Sequence, residues 1–294
     1  MRKTILWSAL FGAILVSEGA ADTVQGFVYA AGTFTEIQLP GLPQGINDAG
    51  QIVGFLQPGA QGFLYSGGTV TPIVVPGAVY TSAWDINNSG QIVGSFLDSH
   101  NVQKAYLYDA GTFITIDLPG EGSALGLSDA GQVVGNFGDA NGVHGFLYDA
   151  GTLTIIDVPG QSFTEAFDIN DAGQIVGWYD DGTRRHNFLY DAGTFTTIDV
   201  PGSPFGYTSG INDLSQIVGA YSDGTRYHGF LYDAGSFTTI DIPGRHILPE
   251  GINDAGQIVG WSLEIPVPEP GSMLMLGWGL AGILAFASQK RRSG

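Results

Sequence analysis

A tetrapeptide pattern returns six times along this 294-residue chain, which confines the fold to a repeated unit. Its copies are Gly26-Phe27-Val28-Tyr29, Gly62-Phe63-Leu64-Tyr65, Ala105-Tyr106-Leu107-Tyr108, Gly145-Phe146-Leu147-Tyr148, Asn187-Phe188-Leu189-Tyr190 and Gly229-Phe230-Leu231-Tyr232, spaced by 36, 43, 40, 42 and 42 residues. Each is followed by a glycine turn and a stretch ending in Pro-Gly, such as Thr194 to Gly202. A second pair follows, as in Phe167-Asp168-Ile169-Asn170, then Asp171-Ala172-Gly173, then Gln174-Ile175-Val176-Gly177-Trp178-Tyr179.

Each unit reads as four strands, because Val, Ile, Thr, Phe and Tyr dominate it and glycine turns punctuate it. Asp-Ala-Gly fits a three-residue hairpin, a type I turn followed by glycine in the left-handed region. The Phe-Leu-Tyr hairpins place Gly32, Gly68, Gly111, Gly151, Gly193 and Gly235 there, and the second hairpins Gly50, Gly90, Gly131, Gly173 and Gly256. Ser215 stands in the sixth position, where positive φ costs ~1 kcal/mol more than in glycine.

Four antiparallel strands per repeat predict an all-β, six-bladed β-propeller. Apolar residues on both faces of a strand, as at Ile175, Val176 and Trp178, suit stacked blades better than a sandwich. A β-solenoid or open repeat array is the alternative. On this phasing Asp181-Gly182 and Asp223-Gly224 turn within blades, and Pro-Gly segments link them. The first hairpin (26–39) and the last (250–262) each lack a partner, so they are expected to complete one blade together.

Composition agrees. There are 46 Gly and no Cys, so packing and not disulfides must hold the body together. Residues 22–268 hold 26 acidic residues and five basic ones, Lys104, Arg184, Arg185, Arg226 and Arg245, a net −21. Such a surface repels nucleic acid and suits cations or glycans.

The ends read as addresses. Met1-Arg2-Lys3, the apolar run Thr4 to Val16 and the small residues Gly19-Ala20-Ala21 form a signal peptide over 1–21. The repeat domain is then 22–264 and a tail 265–294. In the tail, Val267-Pro268-Glu269-Pro270 precedes a transmembrane helix expected over 271–287, and Lys290-Arg291-Arg292 marks its cytoplasmic side. This order resembles the PEP-CTERM sorting signal. The resemblance implies that an exosortase, a membrane-embedded transpeptidase-like enzyme, recognises Pro268, Glu269 and Pro270 and removes the tail. The protein is then tethered to the inner membrane before processing, and cell-surface or extracellular afterwards. The body, over about 25–261, resembles the HAF family of extracellular repeats through His144-Gly145-Phe146, His186-Asn187-Phe188 and His228-Gly229-Phe230. That family carries no established activity.

Two places invite function. The connections at the Pro-Gly end vary between repeats, as binding loops do. They are expected to carry Tyr80, Phe163, Phe205, Tyr207 and Tyr227, with all five basic residues. Tyr207, Arg226, Tyr227, Phe205, Arg184 and Arg185 are the binding candidates, since aromatic rings stack on sugars and guanidinium groups bond their hydroxyls or acids. The plain alternative is that these connections vary because nothing constrains them. The second place is the predicted inner strand. Asn47, Asn87, Ser128, Asn170, Asn212 and Asn253 precede the turns and suit bonding to turn backbone. Two residues earlier most repeats have Gly, but two have Asp85 and Asp168. In a channel these carboxylates would bind a cation or serve as an acid–base pair; otherwise they are solvated acids.

The motifs require no cofactor and no metal. His144, His186 and His228 fall on separate blades, too far apart to share an ion. Asp139-Ala140-Asn141-Gly142 and Asp180-Asp181-Gly182 resemble fragments of calcium loops without the full ligand spacing, which leaves Ca²⁺ as the one cofactor considered. The expected function is a non-enzymatic surface or matrix module that binds polysaccharide. The alternative is a secreted carbohydrate-active hydrolase or lyase using Asp85 and Asp168.

Overall fold

The computed structural model describes residues 24–56 and 61–265. Among these residues, 24 strands form six four-stranded sheets. The protein is a six-bladed β-propeller. Blades 1 to 5 span 42–73, 80–116, 121–156, 164–197 and 205–240, each a meander from inner to outer strand. Blade 6 takes its inner two strands, Arg245–Ile252 and Ile258–Glu264, from the end of the body. Its outer two, Gln25–Ala30 and Thr33–Ile37, come from the beginning. The ring closes where Gln25 pairs with Ser262 and Tyr29 with Ile258. This is the closure that the two unpartnered hairpins require.

The repeated tetrapeptide explains the packing. Its aromatic residue is buried in every blade, at Phe27, Phe63, Tyr106, Phe146, Phe188 and Phe230. Full burial of such a side chain contributes roughly 1.5–3 kcal/mol. The ring lies over the glycine of the neighbouring Ile-Val-Gly strand. A Cβ on Gly177 would meet the Phe188 ring at 2.8 Å and the Glu165 carbonyl oxygen at 2.0 Å. Only glycine admits both ring and inner strand.

The turns correct one expectation. The inner hairpins are three-residue turns, with Gly173 at φ 77° and Ser215 at φ 60°. The Phe-Leu-Tyr hairpins are tighter. Asp149 pairs with Thr152, so only Ala150 and Gly151 turn, at φ 47° and 86°. Two left-handed residues make a type I′ turn, whose twist matches that of the flanking strands. The Asp of Asp-Ala-Gly is the last residue of the strand and not part of the turn.

A second correction concerns the Pro-Gly end. Tyr80, Phe205 and Tyr227 do not sit on free connections but open strands. Tyr207 lies inside the inner strand of blade 5 and is buried. The ladder begins earlier than the glycine signals suggest, which draws these rings onto the blades.

Candidate functional site

Each inner strand lies beside those of both neighbouring blades, and together they surround a channel. A cavity of about 70 Å³ at its turn end is lined by Asp85 and Asp168, by the Ile and Leu side chains that precede the turns, and by the turn residues. A second, of about 20 Å³, is bordered by Trp84, Asp85, Asp168 and Glu250. These spaces are on the scale of a few water molecules.

Asp85 and Asp168 face this channel, and their oxygens are engaged. Asp85 accepts the Ile86 N–H on Oδ1 at 2.8 Å and the Leu127 N–H of the next blade on Oδ2 at 2.9 Å. Asp168 does the same with Ile169 and Ile211, both at 2.8 Å. Burial pushes the Asp85 carboxyl up to about 7 against the pull of those N–H groups. Burial, and then the charge of Asp85, lift Asp168 well above the carboxylate range. The Gly and Asp alternation has a steric cause. A Cβ on Gly45 would lie 2.5 Å from Asp85 Oδ1, and one on Gly126 would lie 2.5 Å from the Asp168 Cα. An Asp in one blade therefore needs Gly in the blade before it.

The turn end of the channel carries a closed ring of hydrogen bonds. The backbone N–H of Asp48 donates to Asn88 at 2.9 Å, and the same link runs from Asn88 to Asp129, Asp171, Asp213, Asp254 and back to Asp48. A second set lies above it. The Asn47 side chain accepts the Gln51 N–H, as expected, and its Nδ2 also donates to the Asn87 carbonyl in the next blade at 3.1 Å. Asn87, Asn170, Asn212 and Asn253 repeat that second bond. Ser128 has no amide to make it. The sequence indicated the turn bond but not the bond between blades.

The three His residues staple their own blades. In each, one ring nitrogen faces an Asp near the outer strand's end and the other an Asp of the preceding turn. For His144 these are Asp157 at 2.7 Å and Asp139 at 3.3 Å. His186 meets Asp199 and Asp181, and His228 meets Asp241 and Asp223. The bond to Asp157 holds the His144 pKa above its ordinary value. The turn acids are occupied by their own backbone, since Asp139 Oδ1 accepts the N–H groups of Asn141 and Gly142. Among the described residues, no three His, Asp or Glu side chains are grouped to hold a metal ion.

The Pro-Gly end carries the arrangement richest in binding chemistry. Trp178 in blade 4 is stacked by Phe163 at 4.5 Å. The Arg185 guanidinium lies over Trp178 at 4.1 Å and reaches Phe205 of blade 5 at 5.6 Å. Phe205 meets Tyr227 edge-on at 6.3 Å, and Tyr227 meets His246 of blade 6 at 5.8 Å. The row thus crosses from blade 4 to blade 6, and Arg185, Phe205 and Tyr227 in it are half-buried. Tyr207 lies buried, its hydroxyl without a partner. Burial raises its pKa, and Glu250 and Tyr227 add to this.

Three of the six binding candidates therefore come together: Arg185, Phe205 and Tyr227. Arg184 pairs with Asp199 at 3.1 Å beside His186. Arg226 is bound to Asp241 and to the carbonyls of Ile242 and Arg245. Two acids beneath this end stand outside the repeat pattern. Glu165, the cross-strand partner of Trp178, is pushed up to about 7 by burial, while Arg185 and the Trp178 indole pull it down. Glu250 accepts the Trp261 indole N–H at 2.9 Å, and burial lifts it well above the usual range. An acid inside an apolar strand was the available signal.

Residues 266–292 match the PEP-CTERM protein-sorting motif. The chain carries a PEP-CTERM sorting signal. That motif implies export, recognition by an exosortase and a C-terminal membrane anchor before processing. Pro268, Glu269 and Pro270, the helix 271–287 and the signal peptide 1–21 lie outside the described residues. In fold, the chain is similar to a protein of Agrobacterium tumefaciens assigned as TolB, with TM-score 0.69 and 11% identity over 84% of this chain and 100% of that one. It is also similar to Pyrococcus horikoshii acylaminoacyl peptidase, with TM-score 0.54 and 13% identity over 86% of this chain and 49% of that one. Identities this low speak for the fold alone. No curated protein sequence matches the chain.

Proposed function

We propose that this is a non-enzymatic cell-surface or matrix protein of HAF-type repeats, sorted by an exosortase-type system, whose propeller binds polysaccharide at the Pro-Gly end. The observation that carries the reading is the half-buried row of Arg185, Phe205 and Tyr227, which crosses a blade junction with the buried Trp178 ring behind Arg185. Aromatic faces suit the C–H faces of sugar rings, and guanidinium N–H groups suit their oxygens. A surface of this kind serves an exopolysaccharide or biofilm matrix. A glycan array probed with the purified full chain tests it. Binding should weaken when Phe205 and Tyr227 are replaced by Ala.

The hydrolase or lyase reading has one supporting feature, two carboxyls on one channel with Asp85 held near neutrality. Against it, both oxygens of each accept backbone N–H groups, and the adjoining space is on the scale of waters. Turnover of any glycan by the full chain, lost in an Asp85→Asn, Asp168→Asn double variant, would favour that reading instead.

A further inference from the structure

Four of the body's cations can be compared directly. Lys104 pairs with Asp98 at 3.4 Å, Arg184 with Asp199 at 3.1 Å, and Arg226 with Asp241. Arg185 makes no ion pair within 4.0 Å among the described residues. Its guanidinium is held by ring faces, with Trp178 at 4.1 Å and Phe205 at 5.6 Å. Stacking leaves the in-plane N–H donors unused, and those donors match a carboxylate in bidentate fashion. The group is half-buried, so an anion bonding to it is partly shielded from water.

The charge around Arg185 is mixed, since Glu165 and Asp180 act on it while Arg226 and His228 lie beyond Tyr227. His246, whose ring tilts against Tyr227, is harder to protonate because it is partly buried and because Arg226 and His228 lie near it. Two acids act on Arg185, and Asp180, its cross-strand partner, forms no ion pair with it within 4.0 Å. Glu165 is buried beneath Arg185 and its charged form is disfavoured there. Charges farther off are screened over about 8 Å at physiological salt.

We propose that Arg185 is the carboxylate-binding residue of this surface and that the preferred ligand is a glycan containing uronic acid. The sugar ring lies against Phe205 and Tyr227 while its carboxylate takes the Arg185 N–H groups. The assignment rests on the polysaccharide reading above and narrows it to acidic sugars.

The test uses the purified full chain with two probes, an oligogalacturonate and the same oligomer with every carboxyl methyl-esterified. The wild type should bind the acid form about tenfold or more tighter, the worth of one charge-assisted bidentate contact. Arg185→Gln should abolish that preference, and Arg185→Lys should restore only part of it, because an ammonium cannot bond as a planar fork. An unchanged melting temperature in both variants shows that they remain folded. A preference that survives Arg185→Gln, or equal binding of both probes by the wild type, overturns the assignment. If Phe205→Ala then still weakens binding of both probes, sugar binding stands without a carboxylate contact. If the wild type binds neither probe, the uronate assignment fails, and the array decides the wider reading.

Discussion

Asp85 Oδ2 accepts the backbone N–H of Leu127 at 2.9 Å, across the junction between blades 2 and 3. Asp168 makes the equivalent bond to Ile211 across the junction between blades 4 and 5. The two acids that stand out in the repeat pattern therefore act as clamps between blades.

Asp85→Asn turns one acceptor into a donor that faces a buried N–H. Leaving such a group unsatisfied costs about 1–3 kcal/mol. For a domain of this size, each kcal/mol lowers Tm by roughly 2–4 °C. Thermal unfolding should show that loss. A variant as stable as the wild type would remove the clamp.

Much of this was legible in advance, for reasons that differ by residue. Phe188 and Gly177 recur because the ring needs the missing Cβ, so the sequence carries strand order and blade count directly. The closure followed from counting unpaired hairpins. The ring through Asp48, Asn88 and Asp129 was not legible, because each bond joins residues about 41 apart whose facing depends on blade spacing. Trp178 over Arg185 was hidden for a related reason. Arg185 reads as a residue of a connection, and its guanidinium meets the Trp178 ring only because it opens the third strand of blade 4 beside the second.

The propeller should be more stable in mild acid than in mild base. Asp85 and Glu165 have folded pKa values of about 7, above their ordinary values of 3.8 and 4.5. The folded state therefore holds protons that the unfolded state releases. This stabilisation is complete below the unfolded values and is lost as pH rises to and through about 7. Tm should fall between pH 5 and pH 8, and Asp85→Asn with Glu165→Gln should lessen the change, with Asp168 and Glu250 keeping their share. A Tm that rises over that range would contradict these assignments.

Ser128 is the gap in the Asn series. Ser128→Asn places an amide where five other blades use one to bond the next turn's carbonyl, and Asn170 would be the acceptor. A gain of about 0.5–1.5 kcal/mol is expected in urea unfolding. An unchanged midpoint would mean that the bond between blades contributes nothing.

The outer turns hold Ala at φ near 45°, which L-residues other than Asn and Asp resist. Ala150→Asn installs the preferred first residue of a type I′ turn and should stabilise by roughly 0.5–1 kcal/mol. Ser215→Gly should gain less, because Ser215 donates to Gln174 of the preceding blade at 2.7 Å and that bond is lost. Melting temperatures of the two single variants should rank in that order.

Glycan binding at the Pro-Gly end of blades 4 and 5, as we propose, is open to direct measurement. Calorimetric titration of the purified full chain, wild type beside a Phe205→Ala, Tyr227→Ala double variant, with glycans drawn from an array, tests it most directly. The wild type should bind saturably, and a double variant that stays folded should lose about tenfold or more in affinity. Binding of no glycan, or equal binding by both proteins, would contradict it.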